Sequence, residues 1–196
     1  MTAPVSEEIP NASNVLMLAP SLTPEDGDLH HDLLATRTLA EENVLILTFG
    51  RADRWIREFR TNYDENPNEI AIIQIDETLR RSRPHPDNVS VRTVSPTDLT
   101  GVGMAVSDVI EDWADRDAQT VVCFDSITDF LQYADRSTLY RFLRVVTRRF
   151  DAAGGFAHFH MNPHAHDRQT IATLKSPFDA VVEATDAGDV SVTTRY

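Results

Sequence analysis

"NVLMLAPSLTPEDGDLHHDLL" runs from Asn14 to Leu34. Val15 to Ala19 is a continuous apolar run, a proline- and carboxylate-rich turn follows, and apolar residues return at helical spacing from Leu29. The stretch therefore reads as a buried strand, a turn and a helix start, the frame in which phosphate-binding loops are placed. A strand without in-out alternation is one covered on both faces, which points to a layered α/β domain. The turn has no lysine, and its only glycine is Gly27.

The same alternation continues along the chain. Strands are expected at Val44 to Thr48, Ile70 to Ile75, Val89 to Val94, Val121 to Phe124, Phe156 to His160, Ala180 to Ala184 and Val190 to Thr194. Helical spacing is read at Leu29 to Ala40, Arg54 to Thr61, Ser107 to Arg116, Ser137 to Ala153 and Asp167 to Leu174. Apolar strands separated by helices predict a three-layer sandwich with a mainly parallel central sheet. The last two strands, joined by "TDAGD", are expected to pair as a hairpin at one edge. Residues 1–13 have no apolar period and read as a flexible tail before a single domain spanning 14–196.

Composition narrows the partners. The formal charge is -13, with 31 acids against 18 Lys and Arg, and Lys175 is the only lysine. Such a surface repels nucleic-acid phosphates and anionic lipid, so neither is an expected partner. Excess carboxylate with almost no lysine matches proteins of a salt-loving archaeon, where screening makes the charge tolerable. No apolar run approaches the roughly 20 residues that cross a bilayer, and Met1 to Pro10 lacks a signal-peptide pattern, so a cytoplasmic location is expected. Cys123 is the sole cysteine, which excludes an intramolecular disulfide and a cysteine-based zinc site.

Three segments, "NVLMLAPSLTPED", "TVVCFDSITDFLQY" and "GGFAHFHMNP" with the later "TLKSPFDAVVEA", together resemble the RecA-type core of KaiC-like ATPases. The likeness is to the reduced, taxis-transducer-like small proteins of haloarchaea, and it covers Asn14 to Tyr196. It implies a RecA-like P-loop NTPase fold. Asp125 then stands at the Walker B position, where an aspartate helps to hold Mg2+, and Ser126 follows it. The departures are chemical. Pro20 and Pro24 remove two N–H donors, and Glu25, Asp26 and Asp28 place negative charge where ATP phosphates would sit. After the second strand, where KaiC-like ATPases carry a water-activating glutamate pair, this chain has Gly50 and Arg51. No cofactor and no catalytic residue is therefore expected, and Asp125 with Ser126 is retained only as a degenerate nucleotide site.

Two other groups compete for a function. His158 and His160 lie two apart on an expected strand, so their imidazoles face the same way, and a metal-dependent enzyme is one alternative reading. Packed core histidines are the plainer reading. Arg141, Arg144 and Arg148 share one face of the long fourth helix, opposite Leu139, Leu143, Val146 and Phe150. They read as a solvated stripe or a protein-partner surface. The expectation is a non-catalytic adaptor that works through protein contacts, with a homo-oligomer possible. A nucleotide or small-molecule sensor binding at the altered loop is the other alternative.

Overall fold

The computed structural model describes residues 5–20, 33–34, 39–62, 66–78, 84–185 and 189–195. The turn Ser21 to Asp28, the paired histidines 30 and 31 and most of the first expected helix lie outside them.

Eight strands make one sheet in the order β4-β3-β2-β5-β6-β1-β7-β8. They are β1 Asn14–Leu18, β2 Glu42–Thr48, β3 Glu69–Ile75, β4 Val89–Val94, β5 Gln119–Asp125, β6 Phe156–Met161, β7 Ala180–Ala184 and β8 Val190–Thr194. All neighbouring pairs are parallel except β7 and β8, which form the expected antiparallel edge. β1, β2 and β6 are buried along their whole length, including the polar Asn14, Glu42, Asn43, Thr48, His158 and His160 within their mainly apolar runs.

Two cores sandwich this sheet. Leu16, Leu45, Ile73, Phe124 and Phe159 point to one face. That face is covered by α3 (Leu99–Trp113), the short α4 (Ile127–Phe130), α5 (Arg136–Ala152) and α6 (Arg168–Leu174). Val15, Met17, Ile46, Ile72 and Cys123 point to the other, beneath α2 (Ala52–Asn62) and Leu33 and Leu34. In α5, Leu139, Leu143, Val146 and Phe150 are buried, each worth about 1.5–3 kcal/mol relative to an exposed side chain. Asp135 caps this helix through the Ser137 and Thr138 amides. Gly154, at φ +65°, ends it in a left-handed conformation that a side chain would strain.

Within the expected tail, residues 5–12 do more than trail. Val5–Glu8 form one helical turn, α1, and Val5, Ile9 and Ala12 are buried in the second core. Val5, Ile9 and Ala12 fall at i, i+4 and i+7, a helical spacing that is hard to read over so short a segment with Pro4 and Pro10 beside it. Helix α3 also differs from expectation, beginning at Leu99, eight residues before the predicted Ser107. Gly101 and Gly103 read as helix breakers, yet both serve packing. Asp98 caps the helix by accepting from the Gly101 amide at 2.8 Å, and a Cβ on Gly101 would collide with that carboxylate. Gly103 faces the ring of Phe142 on α5.

Candidate functional site at the carboxyl end of the sheet

Asp125 ends β5, at the carboxyl edge of the sheet where open α/β folds place ligands. It is in register with Thr48, the last residue of β2. Burial first, and then the neighbouring Asp129 carboxylate, push Asp125 up to about 6. Glu58 on α2 adds to the rise, while Arg54 and then the neighbouring Thr48 hydroxyl oppose it. The buried Cys123 thiol, two residues earlier on the same face, is also pushed up, by burial above all.

Ser126 follows Asp125 through a cis peptide bond and caps α4. Its hydroxyl donates to Asp129 Oδ2 at 2.6 Å and accepts from the Asp129 amide at 3.2 Å. This Ser-x-x-Asp pairing commits Ser126 to the helix start. The segment after β2 is equally committed. The Gly50 amide donates to Thr48 Oγ1 at 2.8 Å, and the Ala52 amide at the start of α2 donates to Gln74. Phe49 packs edge-on against Phe130 at 4.8 Å and stacks on Tyr133 at 5.9 Å.

His158 and His160 lie on β6, both buried, with ring centroids 6.0 Å apart at 65°. Their side chains share the sheet face of Cys123, as the two-residue spacing predicts. Burial, with His160 nearby, holds the His158 imidazole well below its usual pKa, so it is neutral. Among the described residues, no group of three or more His, Cys, Asp or Glu gathers as a metal site. The histidines after β6 have structural tasks: the His164 amide is held by Asn162 Oδ1, and His166 Nε2 is 3.1 Å from Thr128 Oγ1. Asp167 caps α6 by accepting from the Thr170 amide at 2.7 Å.

Arg141, Arg144 and Arg148 are exposed on the outer side of α5, about Val145, itself 51% exposed. Arg144 lies 5.9 Å over the Tyr140 ring, and Arg141 donates to Thr138. The arginines at 80, 81 and 83 fall outside the described residues. A groove of about 820 Å3 opens at the opposite, amino-terminal end of the sheet, between the ends of α3 and α5. Two of its charged side chains are engaged, Asp108 with Arg92 and Arg116 with Glu69.

The structure thus brings Thr48, Arg54, Glu58, Asp125 and Asp129 together and places the arginine stripe on a different surface. Of that cluster only Asp125 stands out in the sequence. Asp129 was open to discovery through the Ser-x-x-Asp spacing, whereas Thr48 and Glu58 become neighbours only through the order of the strands.

The DUF7504 family model matches residues 12–184. The chain belongs to DUF7504, a family of unknown function. No curated protein matches this DUF7504 chain. Among solved structures, the KaiC-like protein PH0186 from the hyperthermophilic archaeon Pyrococcus horikoshii OT3 is similar at a TM-score of 0.60 and 14% identity. That match covers 93% of this chain and 79% of the other. A second Pyrococcus horikoshii OT3 protein, described as a structural study of project PH0250, matches at TM-score 0.60 and 11% identity, covering 93% and 86%. These likenesses place the DUF7504 chain in the KaiC-like, RecA-like three-layer fold. Among the described residues, no helix is long and apolar enough to cross a membrane.

Proposed function

We propose that this chain is a pseudo-ATPase of the KaiC/RecA-like type, acting as a regulatory or signalling adaptor through protein contacts in a halophilic archaeon. The observation that carries the reading is what occupies the end of β2. A KaiC-like hydrolase needs a carboxylate there to activate water. Here Phe49 is spent on packing against Phe130 and Tyr133, and the Gly50 amide is closed onto Thr48. The sequence of the loop after β1 supports the same conclusion, since it offers prolines and carboxylates in place of glycines and a lysine. Arg141, Arg144 and Arg148 supply a cationic surface on an acidic protein, suited to an acidic protein partner.

A second reading is favoured by Asp125. A carboxyl group raised to about 6 at the carboxyl end of a parallel sheet is a frequent mark of a functional site. On that reading the protein is a sensor that binds a nucleotide or other small molecule without turning it over.

Calorimetric titration with ATP and ADP, each with Mg2+, in about 2 M KCl separates the two. No binding heat for either nucleotide, together with co-purification of a partner that Arg141→Glu/Arg144→Glu/Arg148→Glu releases, is the adaptor result. Micromolar binding weakened by Asp125→Ala is the sensor result. Steady phosphate release from ATP would overturn both.

A further inference from the structure

We propose that the outer face of α3 and α5 is a self-complementary docking surface for a second copy of this chain, with α3 of each copy lying on α5 of the other. The proposal rests on the reading of the α5 arginines as a contact surface and names what they contact. Met104, Asp108 and Glu111 recur at i, i+4 and i+7 on α3, and all three are exposed. Arg141, Val145 and Arg148 recur at the same spacing on α5 and are exposed too, with the exposed Arg144 beside them. One helix thus presents an acidic stripe that begins at an apolar residue, and the other a cationic stripe about an apolar residue. Met104, at 62%, and Val145, at 51%, are the most exposed large hydrophobic side chains among the described residues.

The two helices form one platform. Arg149 on α5 donates to Gly103 O on α3 at 2.9 Å, and Gly103 lies against the Phe142 ring. Each helix lies on a connection between parallel strands, so both run opposite to the strands and alongside each other. Their carboxyl ends are level, since Trp113 and Ala114 share a groove with Ala152 and Ala153. Counted back from those ends, Met104 and Val145 stand at similar heights, as do Asp108 and Arg148. A two-fold axis between the helices and parallel to them therefore sets Met104 of one copy on Val145 of the other. The same axis sets Asp108 and Glu111 against Arg148 and Arg144, twice over.

The charges are available for such a contact. Among the described residues, Glu111, Arg141, Arg144 and Arg148 make no ion pair, and Asp108 meets Arg92 through Oδ2 alone. Arg144 and Arg148, four apart on one helix, repel each other in the single copy, and a facing carboxylate relieves that repulsion. A chain of charge -13 repels its copies at long range, so copies meet most readily where cations gather, as they do on α5. At about 1.5 Å per residue and about 10 Å of width for each helix, the face covers roughly 500 Å2 per copy. That is less than the roughly 800 Å2 per partner of a standard stable interface, so the dimer is a reversible, concentration-dependent one.

Sedimentation equilibrium across a range of protein concentrations, at one fixed KCl concentration, tests it. The wild-type mass is expected to rise from 22.0 kDa towards twice that value. Val145→Glu puts a charge in the apolar centre of the face without touching the core, so it is expected to weaken association about tenfold or more with an unchanged circular dichroism spectrum. Arg144→Glu/Arg148→Glu makes both stripes acidic and Asp108→Arg/Glu111→Arg makes both cationic, so each protein alone is expected to stay at 22.0 kDa. Mixed in equal amounts they restore both contacts and are expected to dimerise, although each variant is still net negative. A wild-type mass fixed at 22.0 kDa at every concentration overturns the proposal and leaves the adaptor reading to its own co-purification test. Association that survives Val145→Glu, or a mixture that stays monomeric, overturns the proposal as well.

Discussion

Thr48 sits where two strand ends meet: it is in register with Asp125 across the β2–β5 pairing, and its hydroxyl accepts the Gly50 amide at 2.8 Å. Asp125 is an acid whose folded-state pKa, about 6, exceeds the ordinary aspartate value of 3.8. Between those values the folded state holds the proton more tightly than the unfolded chain, so stability falls as pH rises through the window. Above about pH 6 the penalty is complete, on the order of 3 kcal/mol at most. Asp125→Asn is expected to raise the denaturation midpoint at pH 7, with the gain fading below about pH 4. Urea titrations of both proteins at pH 4 and pH 7 check this. A variant less stable than wild type at pH 7 contradicts the geometry.

Thr48→Val removes the neighbouring hydroxyl that opposes the rise at Asp125 and leaves the Gly50 amide without its acceptor. The Asp125 titration is expected to move further up, with a stability loss of about 1–3 kcal/mol. Carboxyl carbon NMR of Asp125 follows the titration, and an unchanged midpoint would show that Thr48 does not bond it in solution.

Alanine at a helical glycine ordinarily stabilises by about 1 kcal/mol. At Gly101 the new Cβ meets the Asp98 carboxylate, so that gain is expected to be cancelled in the wild-type background and recovered in Asp98→Ala. A double-mutant cycle by thermal unfolding measures the coupling, and additive effects would show that Asp98 does not cap α3.

The excess of 31 acids over 18 lysines and arginines makes the folded state self-repelling at low ionic strength. Raising KCl from about 0.1 M to about 2 M shrinks the screening length from about 10 Å to under about 3 Å. The thermal midpoint is expected to rise accordingly. A midpoint that does not move would contradict the halophilic reading.

The central strands were legible because burial on both faces leaves long apolar runs, and the edge strands β4 and β8 through their valines and threonines, which favour a strand even when half exposed. Their lateral order was not legible, since β2, β5, β6 and β1 are all apolar and nothing local says which is neighbour to which. The start of α3 was hidden because Gly101 signals a break when read alone and a close contact only once Asp98 is seen beside it. Asp125 was visible as an acid ending a buried strand. Its raised titration was not, because it comes first from burial that the strand order creates and then from Asp129, with Glu58 adding to it from α2, far away in sequence.

Cys123 sits in the middle of β5, wholly buried between β2 and β6. Its thiol is doubly silent, shielded by packing and kept protonated by burial and the nearby Asp125 charge. A thiol reagent reaches it only when the centre of the sheet comes apart, so the rate of labelling in native buffer reports the free energy of that opening. The chain thus contains, at one atom, a built-in gauge of its rarest excursion, readable without any engineered residue.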